Sequence, residues 1–265
     1  MSNRFQSLPW RLRGLRSATT LLFAYLYLPI AVLFVYSFNG GAMATIWEGF
    51  SVRWYGEVLS SANFRAAATN SLVIALAAAG IATVLATMAA LGFRGRKLGG
   101  ARLMMPFLSF PLVIPEIVTA VATLIFFISI GVPLGLVGLI AAHTVFCIPF
   151  AFLTVKARLD SMDESIERAA SDLYATPLKG FYYVTLPLLW PAVMSGFLLA
   201  FIVSLDDFII SLFLAGPSST TLPIYMFGMI RLGVTPAVNA ISVVILVLSL
   251  AVVGIAALIN RFNRI

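Results

Sequence analysis

Charged side chains are scarce in this sequence. Asp, Glu, Lys and Arg make up 10% of the 265 residues and hydrophobic residues make up 61%, whereas a soluble domain carries about 25% charged residues. Six long stretches contain none of these four residue types: 17–47, 66–93, 117–155, 180–205, 208–230 and 232–260. A bilayer span needs about 20 mostly apolar residues, and no soluble core needs uncharged runs of this length. The sequence therefore predicts an integral membrane protein and excludes the soluble enzymes.

Cysteine and histidine are almost absent as well. The single cysteine, Cys147, excludes an intrachain disulfide and with it the disulfide-framework proteins. It shares a helix face with His143, but a metal site needs three or four ligands and no others lie nearby in sequence. A buried histidine that hydrogen-bonds within the helices is the favoured interpretation, and no metal is expected.

The sequence also lacks patterns that would indicate other functions. It has no G-x-x-x-x-G-K-[ST] phosphate loop, and no nucleophile, base and orienting acid stand together. The net charge of +7 comes from cations that flank apolar runs, not from a basic patch of the kind that binds nucleic acid. We therefore expect neither catalysis nor nucleic-acid binding.

The apolar runs predict an all-α, polytopic protein with six transmembrane helices. The spans are expected at about 18–38, 69–92, 103–131, 135–155, 188–210 and 238–259. Backbone exposed to lipid must be helical, because unpaired amides there cost several kcal/mol each. The third run contains three prolines and Glu116, which predicts a kinked or broken helix facing protein or a cavity.

The cations indicate an orientation. Six spans would place the N-terminal tail, the loops near 94–102 and 156–179, and the C-terminus on one side of the membrane, and 14 of the 17 Lys and Arg residues lie there. The other three, Arg53, Arg65 and Arg231, lie on the opposite side. The positive-inside rule then places both termini in the cytoplasm. We expect a cytoplasmic tail over 1–17 and a single membrane domain over 18–265, with the first apolar run retained as a helix because it exceeds the core of a signal peptide.

The longest polar stretch, Lys156 to Pro187, holds half of the acidic residues. The spacing of a capping box, Ser161 to Glu164, predicts the start of a helix, and Thr176-Pro177 predicts a second one after a turn at Tyr174-Ala175. Ile166, Ala169, Ala170 and Leu173 form a narrow apolar stripe. This stripe either packs on the chain's own membrane helices or docks into a groove on a partner.

The segment from Glu167 to Pro177, followed by Val184-Thr185-Leu186-Pro187, resembles the EAA loop of type I ABC-importer permeases. Ala169, Ala170, Val184, Leu186 and Pro187 match that pattern in register. Arg168 stands where the family has glutamate, Tyr174 stands where it has glycine, and Glu167 offers an acid one residue early. The residues that the resemblance assigns to coupling with an ATPase are Glu167, Arg168, Ala169, Ala170, Asp172, Leu173, Tyr174, Pro177, Leu186 and Pro187.

Other blocks extend the resemblance over nearly the whole chain. Residues 110–116 look like the third-span block of these permeases, and four blocks within 204–240 look like the spermidine/putrescine permeases of the second type. The resemblance implies the type I importer-permease fold, with the family core at about 66–257 and the coupling loop at 160–187.

The resemblance also implies a function and partners. The chain would be a permease subunit of an ATP-driven importer of polyamines or a related small organic solute, in a bacterial inner membrane. It would work with two ATPase subunits, a second six-span permease and a periplasmic or extracellular solute-binding protein. The chain itself would bind no cofactor, because ATP and Mg would bind to the ATPase. An ion-gradient-driven carrier or channel is the alternative function.

Three acids lie within the predicted spans. Glu116 follows Pro115 in the third span, and Asp206 and Asp207 lie near the end of the fifth. Ionisable residues inside a membrane are costly and are by default functional candidates. They either line a path for a cationic substrate, or Glu116 and one of the aspartates make structural hydrogen bonds.

Overall fold

The structure is a computed structural model that describes residues 13–94 and 101–262. Over these two stretches the chain is helical, and the sole β-pairing there is an isolated antiparallel bridge between Asn39 and Phe50. The prediction of an all-α protein is confirmed.

Twelve α-helices lie within the described stretches, together with one π-helical segment. They are α1 (Arg13–Tyr36), α2 (Arg53–Ser60), α3 (Ala62–Gly92), α4 (Ala101–Val113), α5 (Glu116–Ser129), α6 (Leu136–Ser161), α7 (Glu164–Asp172), α8 (Pro177–Gly180), the π-helical segment (Phe181–Thr185), α9 (Leu186–Asp206), α10 (Ile209–Leu214), α11 (Leu222–Leu232) and α12 (Pro236–Phe262).

Each of the six predicted spans coincides with helix. Within residues 13–94 and 101–262, four helical stretches are long and apolar enough to cross a membrane by length and composition: Gly14–Tyr36, Ala62–Gly92, Leu136–Ser161 and Pro177–Asp206. The third predicted span is divided between α4 and α5, and the sixth coincides with α12.

The third span is broken at Ile114-Pro115, as the prolines predicted. Pro115 has φ −53° and ψ 130°, so the chain leaves the helical conformation there and α5 begins at Glu116. Pro115 has no backbone N–H to continue the hydrogen bonds of α4. A second break follows α9, where Asp207 is extended before α10 starts. The breaks bring all three of the intramembrane acids to helix ends.

The described chain divides into two compact units. The first holds the residues up to Ser61 together with Met229–Leu248, and the second holds Ala62–Gly228 and the residues from Ser249 onward. In the first unit, the amide of buried Asn39 organises the loop that follows α1. Its Nδ2 donates to the carbonyls of Met43 and Ile46, and its Oδ1 accepts from the backbone amides of Gly41 and Glu48.

The core of the second unit is the packing of α3 against α6 and α9. The side of α3 that is buried consists largely of small residues, including Ala75, Ala79, Ala82, Ala86 and Ala90. Small side chains let helices approach closely, which is the usual source of helix association in membranes.

Gly196 marks a close approach of α9 to α6 in this core. A Cβ atom there would lie 3.2 Å from the carbonyl oxygen of Ala151 and 3.3 Å from its Cα. Any larger residue would push α9 away from α6. Nearby, α5 and α10 form a second apolar cluster with α3 and α6 through Ile74, Phe127 and Leu139.

Helix α7 begins later than the capping-box spacing at Ser161 predicted. Ser161 is the last residue of α6, and its hydroxyl donates to the carbonyl of Arg158. Asp163 is instead the N-cap of α7, with Oδ1 accepting from the Ser165 amide at 2.8 Å. This hydrogen bond holds the pKa of Asp163 below its usual value. The error arose because α6 continues six residues beyond its predicted end at 155.

The second start signal is confirmed. Thr176 is the N-cap of α8 and Pro177 occupies its first turn, whereas the turn after α7 falls at Leu173-Tyr174, one residue earlier than predicted. Tyr174 has φ 59°, in the left-handed region. Its amide donates to Ser171 and the Ala175 amide donates to Ala170, the hydrogen-bond pattern of a Schellman motif that glycine usually completes. The glycine of the family pattern thus corresponds to a position that needs a positive φ.

Replacing Tyr174 by glycine should stabilise the end of α7. A non-glycine residue in this conformation costs about 1–2 kcal/mol, part of which is offset by the greater freedom of glycine in the unfolded chain. We expect amide hydrogen exchange in α7 to slow about threefold in Tyr174→Gly relative to Tyr174→Ala, which removes the same ring but keeps the strain. Equal exchange in the two variants would contradict this assignment.

Candidate functional site

The three acids singled out from the sequence line one groove. Glu116, Asp206 and Asp207 surround a cavity of about 480 Å³ together with Phe146, Ile202, Val203, Phe208 and Ile209. We call it the acid groove. Its volume lies in the range of small-molecule sites, about 300–1,000 Å³. The breaks before α5 and after α9 bring the three carboxyl groups together although 90 residues separate Glu116 from Asp206 in sequence.

Asp207 is buried, and its carboxylate oxygens accept hydrogen bonds from other residues of this chain. Its side chain is 0% exposed. Oδ2 accepts from the Ser211 amide at 2.9 Å and from the Ser211 hydroxyl at 3.1 Å, and Oδ1 accepts from the Ile210 amide at 3.3 Å. Asp207 thus satisfies the free amides at the start of α10, as a helix N-cap does.

His143 of α6 completes this network. Its Nε2 lies 3.2 Å from Asp207 Oδ2 and 3.2 Å from Ser211 Oγ, and its Nδ1 lies 2.8 Å from Ser204 Oγ. The network is satisfied when Nε2 carries the proton and Nδ1 accepts from Ser204, a tautomer assigned from these partners. His143 therefore fastens α6 to the break between α9 and α10.

The role of His143 was only partly predicted from the sequence. A buried histidine without metal was expected, and no group of three or more potential metal ligands occurs among the described residues. Its partners were not anticipated, because Ser204, Asp207 and Ser211 lie more than 60 residues away. The Ser-x-x-Asp-x-x-x-Ser spacing around the break was the sequence feature that could have pointed to these three partners of His143. Cys147, on the same face of α6, donates to the Ala200 carbonyl at 3.3 Å.

The other two acids are accessible. Asp206 is exposed and Glu116 is half-buried, and both line the same groove as Asp207. Adjacent carboxylates repel one another unless a proton or a cation lies between them. The groove thus joins one structural carboxylate to two that a ligand can reach.

A second candidate surface is formed by the polar loop. Leu173 is 82% exposed, Tyr174 96% and Leu178 78%, and both Tyr182 and Tyr183 are exposed. We call these five residues the loop surface. Ile166 and Ala169 of the predicted stripe are exposed too, so the stripe does not pack on this chain's own helices. Of the two interpretations, docking on a partner is favoured.

The charges of α7 separate into an outer and an inner set. Arg168 is exposed and pairs with Glu164 one turn earlier at 3.1 Å, and Asp172 is exposed. Glu167, which precedes the position of the family glutamate by one residue, lies on the inner side of α7 and contacts Arg94 and Thr185. Of the remaining predicted coupling residues, Pro177 and Pro187 are exposed, whereas Ala170 and Leu186 are half-buried.

Comparison with known families settles what kind of chain this is. The sequence model of the family described as the binding-protein-dependent transport system inner membrane component matches residues 82–265. The chain belongs to this family. Its members include permease subunits, and this chain is therefore a permease subunit of an ABC transporter and not an enzyme.

Curated relatives cover most of the chain. The putrescine transport system permease protein PotI of Escherichia coli K12 is 41% identical over 90% of this chain and 86% of its own length. The spermidine/putrescine transport system permease protein PotC is 38% identical in Haemophilus influenzae, over 92% of this chain and 95% of its own. The PotC protein of E. coli K12 is 37% identical, over 91% and 92%.

Solved structures share the fold. A bacterial ABC transporter for the acidic polysaccharide alginate contains a chain with a TM-score of 0.68 at 18% identity, covering 97% of this chain and 98% of that one. The MetNI methionine ABC transporter contains one with a TM-score of 0.63 at 18% identity, covering 73% and 93%. The predicted type I importer-permease fold is confirmed.

The hydrogen bonds of Asp207 predict a difference between the two neighbouring aspartates. Asp207→Asn should lower the free energy of unfolding by about 2 kcal/mol, because hydrogen bonds to a buried carboxylate are lost or reversed. Asp206→Asn, at an exposed carboxylate, should change it by less than about 0.5 kcal/mol. Thermal unfolding of the purified full-length variants in detergent measures both. Equal destabilisation would contradict the structural role assigned to Asp207.

Proposed function

We propose that this permease subunit imports polyamines, with the acid groove as part of the path. The single observation that carries this proposal is the convergence of Glu116, Asp206 and Asp207 on one groove that apolar side chains otherwise line. The relatives described as putrescine and spermidine/putrescine permeases support it.

The chemistry of the groove suits an aliphatic polycation. A carboxylate replaces part of the hydration that an ammonium group loses, and the aromatic residues Phe146 and Phe208, which line the groove, offer a second attraction for a cation. The apolar residues suit the methylene chain between the ammonium groups. Glu116 and Asp206 can contact the cargo directly, whereas Asp207 contributes its negative charge from behind.

The partners follow from the same proposal. Two ATPase subunits, which bind ATP and Mg, would dock on the loop surface; a second six-span permease would complete the path, and a periplasmic or extracellular solute-binding protein would deliver the cargo. An exposed apolar patch rimmed by charges is typical of a docking site. The alginate transporter has been solved in complex with a substrate-bound periplasmic protein.

The orientation and domain organisation are part of the proposal. Both termini lie in the cytoplasm, residues 18–265 act as one membrane domain, and the loop 160–187 faces the cytoplasm. The excess of Lys and Arg on that side supports this orientation. ATP-driven closure of the ATPase pair then moves the loop and alternates the access of the path.

Neutralising the accessible acids should slow import of cations. In proteoliposomes containing the full complex, Asp206→Asn and Glu116→Gln should each lower the rate of putrescine uptake about tenfold, because each removes one charge partner of the cation. Glu57→Gln, an exposed carboxylate paired with Arg53, serves as the control. Assembly of the complex should be unchanged in all three variants.

Two results would contradict the proposed function. Unchanged putrescine uptake in both groove variants would remove the acid groove from the path. Uptake by this chain alone, driven by an ion gradient without ATP or an ATPase, would instead identify a secondary carrier.

A charge on the loop surface should uncouple the chain from its ATPase. Leu173→Asp places a carboxylate where an apolar side chain would be buried on docking, which costs several kcal/mol unless it is paired. We expect recovery of the ATPase with the tagged permease to fall at least about tenfold. Leu232→Asp, at an equally exposed leucine of α11, should recover as much ATPase as the wild type, and equal losses would argue against the loop surface.

A further inference from the structure

The inward-facing acid of α7 joins three separate elements. One oxygen of Glu167, Oε1, accepts from Arg94 Nη1 and, at 2.7 Å, from Thr185 Oγ1. Arg94 lies two residues beyond the end of α3, Glu167 lies in the middle of α7, and Thr185 ends the π-helical segment immediately before α9.

This contact is sheltered, unlike the other ion pair of α7. The side chain of Arg94 is 16% exposed and that of Glu167 is 34% exposed, and Thr185 is buried. In the outer pair, Arg168 and Glu164 are 74% and 64% exposed. Exposed pairs are screened by water and salt and contribute little, whereas sheltered pairs with an additional hydrogen bond are screened much less.

Little else holds α7 to the membrane helices. None of its residues is buried, and a cavity of about 750 Å³ lies between α7, the π-helical segment and the end of α3, with Leu91, Arg94, Glu167 and Thr185 among its lining. Between α7 and the ends of α3 and α9, a polar contact beside this cavity thus takes the place of close apolar packing. In the part of the chain that the structure describes, Glu167 makes every side-chain hydrogen bond found between α7 and the ends of α3 and α9.

The contact leads directly to the core of the second unit. Arg94 is hydrogen-bonded through its amide to Leu91 in the last turn of α3, and Thr185 is continuous with α9. Since α3 and α9 pack on each other and on α6, a displacement of Glu167 would pull on both α3 and α9 of this packed core.

We propose that Glu167 is a positioning residue that transmits movement of the coupling loop to α3 and α9 through Arg94 and Thr185, instead of contacting the ATPase. The inference rests on the proposed function, because it requires that an ATPase displaces the loop. It assigns Arg94 and Thr185 to coupling, and it leaves Arg168 and the loop surface to face the partner.

The test compares uptake with ATP hydrolysis in the same proteoliposomes. In complexes containing Glu167→Gln or Arg94→Gln, we expect ATPase recovery and ATP hydrolysis to be retained and putrescine taken up per ATP hydrolysed to fall about fivefold to tenfold. Thr185→Val, a milder change of similar size, should lower this ratio about twofold to threefold. The exposed-pair variants Arg53→Gln and Glu57→Gln, at an ion pair of α2 outside the coupling loop, should keep the ratio within about twofold of the wild type.

Exchange of the two charges separates a positioning role from simple destabilisation. The double variant Glu167→Arg with Arg94→Glu restores an ion pair between the same elements, and we expect it to recover at least about half of the wild-type ratio. Hydrogen exchange of the α7 amides gives a readout that does not depend on transport. Exchange should be faster in Glu167→Gln and Arg94→Gln and should return towards the wild-type rate in the exchanged pair.

Three outcomes would overturn the inference. Loss of ATPase recovery in Glu167→Gln but not in Arg94→Gln would mean that Glu167 contacts the ATPase directly. An unchanged ratio of uptake to hydrolysis in both variants would mean that the contact transmits nothing, and so would an exchanged pair no better than the single variants. Failure of the proposed function is a separate result, because it would appear as absent ATP-driven putrescine uptake in the wild type.

Discussion

The close approach of α3, α6 and α9 is the constraint on which the second unit depends. Water provides no driving force between helices inside a bilayer, so their association relies on packing and on polar contacts between them. The alanines of α3 and Gly196 of α9 permit that packing. Both candidate sites are fastened to it, the acid groove through His143 on α6 and the polar loop through Arg94 beyond α3.

The scarce charges divide into those that hold the fold and those that face outward. Asp207 is occupied by the amides of α10 and by His143, and Glu167 by Arg94 and Thr185. Asp206 and Arg168 stand next to them in sequence and are exposed. In each pair, one charge is engaged in contacts within the chain and its neighbour in sequence is exposed.

Much of the fold was predictable because membrane spans leave a strong signal. Uncharged runs located the helices, the prolines before Glu116 located the break in the third span, and Thr176-Pro177 located α8. The capping-box prediction was wrong about Ser161 because α6 continues to that residue and includes it in its last turn. The partners of His143, and Arg94 as a partner of Glu167, were not predictable, since residues more than 60 positions apart meet only through tertiary packing. The positive φ of Tyr174 was signalled only by the family's glycine.

If Glu167 holds α7 to the ends of α3 and α9, then α7 moves as one body with the packed core. The distance between spin labels on Ser171 of α7 and Met88 of α3, both exposed, tests this in the complex without nucleotide and with ATP trapped. We expect this distance to change by no more than about 2 Å, the size of an ordinary helix shift, while the loop moves relative to the partner permease. A change of about 5 Å or more between the two labels, comparable to one helical turn, would contradict it.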